Sequence, residues 1–278
     1  MFRCFAFLLV PGLLGAQAPP AILRERADYV AWLTSASTSP LAAVAQQPVG
    51  PGMRLGPADA DVPLEGVPLH RVSERGGAIL LQGPAGARPL PRGRPFRLGS
   101  YTLTVDGPDG RAVLTLFRSR HRGQPPEYYS YDPTLVFVVP LAPPERPGTV
   151  RVLAVDGIEV EASEAGSVVL PLGGERVRLR VRRIPVGSTE ESELEIYFRD
   201  RTNGQGSYPA GRFVSLVAQA DGRYRLDFNR ARNPFCAYST AYPCPAPWPG
   251  NAIPQPIEAG ERYFGGGLTV PPGGEESP

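Results

Sequence analysis

Short runs in which apolar and polar residues alternate with period two dominate the chain, the pattern of half-buried β-strands. Residues 62–64, 78–81 and 101–105 read as strand cores separated by glycine-rich turns. Asp106-Gly107-Pro108-Asp109-Gly110 leads into 112–117, a hairpin signal. Strands continue at 135–141, 150–155 and 168–172. Val177, Leu179 and Val181 then alternate with Arg176, Arg178, Arg180 and Arg182, and Leu194, Ile196 and Phe198 alternate with Glu193, Glu195 and Tyr197. Antiparallel pairing of 175–181 with 193–198 sets Arg178 and Arg180 against Glu193 or Glu195, so the arginine stripe reads as a neutralised hairpin face. Helical spacing occurs near the start, where Ile22, Arg26, Tyr29, Val30 and Leu33 follow a Pro19-Pro20 entrance and Ser39-Pro40 closes the run. Trp32 is expected to anchor this helix on a sheet. The fold class predicted is all-β. A short N-terminal helix (19–39) precedes a β-sandwich (40–120). A second antiparallel sandwich or barrel-like unit (121–265) carries a proline-rich loop, and a disordered tail (266–278) ends the chain.

Composition narrows this reading. The 29 basic residues, all arginine, and 27 acidic ones leave a net charge of +2 over 278 residues. That balance gives no general attraction to nucleic acid or to a membrane surface. Arg118, Arg120, His121 and Arg122 form a local basic cluster that reads as a solvated linker. Arg3, an apolar run over 4–14 and Ala16-Gln17-Ala18 have the layout of a signal peptide (1–18), and the run is too short to cross a bilayer. The expected location is extracytoplasmic, periplasmic or secreted, with no membrane span once the signal is removed. An uncleaved anchor is the alternative.

Candidate chemistry gathers between 200 and 261. Asp227, Asn229, Asn233, Asn251 and Glu261 lie in a stretch dense in proline and aromatic residues, and Asp200, Thr202, Tyr208 and Arg212 precede it. Tyr208, Arg212, Asp227 and Glu261 in one pocket would bind a small polar or anionic ligand, arginine gripping an anion with two prongs. The competing reading is internal bonding, with Arg212 paired to Glu261. A Ser/His/acid triad lacks its base, because His70 and His121 both lie outside the region. Asp200, Asp227 and Glu261 are too scattered to assign a metal, and no cofactor is assigned. Cys236 and Cys244 are the two cysteines left after export, and a structural disulfide is expected, with free thiols or a metal as alternatives. The function so read is a small-ligand-binding or structural module. The alternative is a carboxylate-based hydrolase, with or without a metal, whose site lies in the second β unit.

Two resemblances add to this. The spacing of Gly56, Asp61, Leu64 and His70, with Leu98-Gly99-Ser100-Tyr101, is faintly similar to a forkhead-associated domain, an all-β sandwich that reads phosphothreonine. The family's Gly-Arg pair and its Ser before the His are missing here, so the similarity implies a sandwich and not phosphopeptide binding. His70 reads as a packed, hydrogen-bonded histidine. Further on the chain resembles domain of unknown function 1684. The residues that carry this are Asp200-Arg201-Thr202, Gly206-Ser207-Tyr208, Gly211-Arg212-Phe213, Leu226-Asp227-Phe228-Asn229, Asn233-Pro234-Phe235-Cys236-Ala237-Tyr238, Cys244-Pro245, Asn251 and Ala259-Gly260-Glu261. That family commonly shows a Tyr where this chain has Arg232 and a Glu where it has Gly250. The label implies a shared fold and site but brings no reaction.

Overall fold

The structure is a computed structural model that describes residues 17–119, 124–187, 191–246 and 248–265. The expected signal run before residue 17, most of the basic cluster including His121, and the tail from 266 lie outside the described residues.

One helix opens the described chain, α1 (Pro20–Ser35). Pro20 stands at its first turn, where a missing N–H costs nothing, and Ala36 turns extended to end it. Ile22 and Leu33 are its buried residues. Trp32 stacks on Tyr29 and packs on Phe235 of the proline-rich loop, so its seat is that loop and not a sheet.

Nine strands follow: β1 (Ala43–Pro48), β2 (Met53–Gly56), β3 (Val62–Pro63), β4 (His70–Arg75), β5 (Ala78–Gly83), β6 (Gly86–Pro89), β7 (Phe96–Leu98), β8 (Tyr101–Asp106) and β9 (Val113–Arg118). They form two sheets, β1-β9-β8-β7 and β3-β2-β4-β5-β6. The inward positions of both, among them Leu55, Val72, Leu81, Leu103, Leu114 and Leu116, share one apolar core. This is the expected period-two arrangement of a sandwich. His70 is half-buried, with its Nδ1 2.6 Å from the Pro68 carbonyl oxygen.

The second group of strands is β10 (Val136–Val139), β11 (Thr149–Leu153), β12 (Glu159–Leu172), β13 (Glu175–Pro185), β14 (Ser192–Phe198), β15 (Arg212–Ala218) and β16 (Tyr224–Asp227). They make one seven-stranded antiparallel sheet in the order β10-β16-β15-β14-β13-β12-β11. The sheet coils so far that the chain after β10 reaches β12, where Ala142 and Ser167 bridge. It does not close into a barrel. Leu170, Leu179, Ile196, Phe198, Val214 and Leu226 fill the inside of the coil. Each such fully buried side chain stabilises the fold by about 1.5–3 kcal/mol. The opposite face stacks Tyr197 on Phe213 at 4.2 Å between ring centres, with Trp248 edge-on.

Strands β13 and β14 are neighbours as expected, but the contact is shorter and shifted. Arg182–Pro185 pairs with Ser192–Glu195, and residues 175–181 pair with β12 instead. Arg178 and Arg180 therefore do not meet Glu193 or Glu195. Arg180 and Arg182 both bond Glu164 of β12, at 2.8 and 3.0 Å. Beyond Arg182 the two strands diverge and Asn251 enters the gap. Its Oδ1 accepts from Arg180 N, and its Nδ2 donates to the carbonyls of Arg180 and Tyr197. One buried amide thus completes a torn ladder.

Replacing Asn251 by Ala strands three backbone groups, and the expected loss is about 2–4 kcal/mol of unfolding free energy. Urea denaturation measures it. An unchanged midpoint and slope would show that the clamp contributes nothing.

Candidate functional site

After β16 the proline-rich loop has only two short 3-10 turns, Phe228–Arg230 and Phe235–Ala237, so side chains must position it. The central one is Arg212, fully buried at the start of β15. Its Nη1 donates to the carbonyls of Ala259 and Glu261, and its Nη2 donates to Ile257 O at 2.7 Å and Asp200 Oδ2 at 2.9 Å. The other oxygen of Asp200 accepts from Thr202 N, Thr202 Oγ1 and Ile257 N. The Thr202 hydroxyl in turn bonds Ser207. One guanidinium fork therefore holds three successive alternate carbonyls of the loop, a task lysine's point charge would not do. Gly260 makes the approach possible. Its φ is +76° and a Cβ there would lie 2.5 Å from Ala231 O.

The remaining expected site residues fall into separate networks. Asp227 accepts from the backbone and side chain of Asn229 and from Arg225 at 2.9 Å. Asn229 exchanges hydrogen bonds with the Asp132 backbone, at 2.8 Å in both directions. This pair ties the segment before β10 to the loop. Arg212 pairs with Asp200, not with the Glu261 carboxylate, and touches Glu261 only through its backbone. Tyr208 belongs to the cysteine region. A common constellation of Tyr208, Arg212, Asp227 and Glu261 side chains is therefore replaced by four separate sets of partners, because the loop consumes most of these polar groups in holding itself together.

Glu261 is the exception. It is fully buried, and its Oε2 accepts from Asn233 N and from the Tyr238 hydroxyl, both at 2.7 Å. Its Oε1, and the Oδ1 of Asn233, make no hydrogen bond within the described protein. Burial pushes the Glu261 carboxyl up to about 7, against the pull of these two donors and of Arg232 and Arg212. Helix α1 lies over this place. Arg26 reaches down to the carbonyls of Tyr129 and Asn229 and packs over the Tyr128 ring at 4.4 Å. Arg232 stands 5.6 Å from the centre of the Tyr29 ring. Between helix and loop lies a small cavity of about 30 Å³, lined by Ile22, Arg26, Tyr29, Tyr128, Asn229 and Arg232 among others. Glu25, Arg230 and Arg232 of this cavity also line an open groove of about 550 Å³, which runs past Arg183, Ser192, Glu193 and Tyr224. Arg230 is paired with Glu25 at 3.2 Å, whereas Arg183 and Arg232 form no ion pair among the described residues.

Cys236 and Cys244 are free, which corrects the expected disulfide as drawn. Cys236 is buried in a one-turn helix (Phe235–Ala237) and Cys244 is exposed between two prolines. The Tyr208 hydroxyl lies 3.3 Å from Cys244 Sγ. Asp200, Asp227 and Glu261 form no shared cluster among the described residues, and each has its own partners. Residues not expected at the site are Tyr29, Tyr238, Arg183 and Arg232. Tyr238 and Arg232 were visible within the motif, but an aromatic there reads as packing.

A coiled antiparallel sheet with a self-bonded proline-rich loop defines the class, a β-domain whose buried polar residues are largely architectural. The chain belongs to the family described as protein of unknown function (DUF1684), whose model matches residues 125–262. That segment spans β10 to Arg262 and so includes the loop but neither α1 nor the sandwich. The chain is also similar to the solution NMR structure of an uncharacterized protein from Haloarcula marismortui, with 33% identity over 50% of this chain and 77% of that one and a TM-score of 0.43. No curated protein matches.

Two expected outcomes follow from these networks. Asp200→Ala leaves the Arg212 charge buried and unpaired, with a loss of about 3–5 kcal/mol; calorimetric unfolding at neutral pH reads it, and a shift within error means that the carbonyls alone suffice. Stability also depends on pH through Glu261. Its folded value of about 7 lies above the ordinary 4.5, so the folded state holds the proton longer. Its contribution is full below about pH 4.5 and is lost as pH rises through about 7. Glu195, raised to about 7, and Asp156, raised to about 6, act in the same sense, both through burial. Glu261→Gln stays neutral throughout, so its denaturation midpoint should fall less than the wild type's between pH 5 and 8. Parallel curves would mean that Glu261 ionises normally.

Proposed function

We propose that the protein is an exported, non-catalytic module that binds a small anionic ligand, a carboxylate or phosphate ester, in the groove beside α1. The observation that carries this reading is the pair of arginines, Arg183 and Arg232, that line one groove and form no close ion pair among the described residues, although Glu193 and Glu25 line the groove too. Its volume of about 550 Å³ is in the range of small-molecule sites. Guanidinium groups grip such anions through two parallel hydrogen bonds. The Ser192 and Ser215 hydroxyls and the Tyr224 ring line the same groove and suit a small polar ligand. Hydrolysis is less well supported, because Asp200 and Asp227 already bond protein donors and Glu261 is sealed beneath α1. Export rests on the short apolar run and the Ala16-Gln17-Ala18 site that follows it.

Thermal-shift titration with citrate, inorganic phosphate and glycerol 3-phosphate tests the binding. A concentration-dependent rise in Tm is expected for at least one, since a ligand of the folded state stabilises by mass action. Arg183→Ala/Arg232→Ala should abolish that rise while keeping the Tm without ligand. Equal behaviour of wild type and double variant leaves a purely structural module. Mass spectrometry of the native protein tests export: a soluble cytoplasmic form with Met1 intact overturns it.

A further inference from the structure

The cysteine pair lies apart from that groove, and its arrangement differs from a simple staple. Cys244 is exposed and Cys236 is 2% exposed, and Cys236 packs in one cluster with Tyr208. Tyr208, buried and packed edge-on against Tyr263 at 4.9 Å, points its hydroxyl at the Cys244 sulfur. The backbone around both sulfurs is fixed independently of them. Phe235 N bonds Val155 O, Tyr197 donates its hydroxyl to Pro245 O, and Tyr242 packs edge-on against Phe235. A bridge is therefore not needed to order this loop, and opening it need not unfold the loop.

We propose that Cys244 and Cys236 form a thiol–disulfide exchange site, Cys244 attacking a disulfide-bearing partner and Cys236 resolving the product. The division of roles follows from access, since an attacking sulfur must be reached and a resolving one need only face its neighbour. The neighbouring Cys236 thiol and the Tyr208 hydroxyl, 3.3 Å away, hold the Cys244 ionisation low, whereas the same neighbour and burial push Cys236 up. Cys244 thus ionises first. Its thiolate attacks one sulfur of R–S–S–R, a Cys244–S–R bond forms, and RS⁻ leaves and takes up a proton. Cys236 then attacks Cys244 Sγ, its proton passes to the departing RS⁻, and an internal disulfide closes. The net change is two protein thiols oxidised and one R–S–S–R reduced to two RSH. The step reverses in an excess of thiol.

Oxidised glutathione is the probe. Wild type should release two equivalents of glutathione and end as the internal disulfide, reopened by dithiothreitol without loss of fold. Cys236→Ser should accumulate one glutathione on Cys244, and Cys244→Ser should react at least ten-fold more slowly. Tyr208→Phe should move the midpoint of the pH–rate curve upward. If a Ser variant does not fold, limiting iodoacetamide on the reduced wild type decides instead: Cys244 should be alkylated at least ten-fold faster than Cys236. Equal alkylation, glutathione on both cysteines, or a native bridge that resists dithiothreitol would each overturn the proposal, the last by showing a permanent staple.

Discussion

Everything in the second half of the chain depends on one buried cation. Arg212 takes its charge balance from Asp200, and its two Nη groups also donate to the Ile257, Ala259 and Glu261 carbonyls. A buried ion pair is weak evidence for stability, because desolvation offsets most of the attraction. Its value here is directional. A loop without strands has no ladder to fix its register, and a planar fork meeting alternate carbonyls supplies one. Glu261 is placed by this contact, since its backbone is gripped while its side chain turns to Asn233 and Tyr238.

Three further side chains repeat the principle at lower charge. Asn251 fills the gap between diverging strands, Asn229 joins the loop to Asp132, and Asp227 holds the turn in which Asn229 lies. Short polar side chains mimic backbone, which is why asparagine and aspartate recur where regular hydrogen bonding stops. The sheet needs this help because its coil brings strands out of register at the bulge between Glu164 and Gly166 and again past Arg182.

Strands were legible because alternation with period two survives in a single sequence. The core positions Leu179, Val181, Leu194 and Ile196 fall where that period puts them. Which strand receives which arginine was not legible. Sequence proximity favours Glu193 and Glu195 as partners of Arg178 and Arg180, but the longer strand β12 carries Glu164 to Arg180 and Arg182, and Arg178 lies 3.8 Å from Glu145. The polar residues of the loop were legible as a group and not as partners. Arg212 could be matched with Glu261 on spacing, whereas Asp200 reaches it because β14 and β15 run antiparallel and bring residues 198 and 212 side by side. The part played by α1 was the least visible, since Tyr29 and Arg26 follow a helical period that says nothing of what lies beneath them.

That helix has a consequence for the order in which the molecule is made. It is synthesised early, yet Arg26 bonds Tyr129 and Asn229, Trp32 packs on Phe235, and Glu25 meets Arg230. Every one of those seats is translated at least a hundred residues later, after the whole sandwich. Contacts so distant in sequence form slowly, because the chain between must first be brought together. The sandwich has its own core and can collapse while the helix waits. An element made early is thus among the last to settle, and it settles as a latch across a domain completed without it.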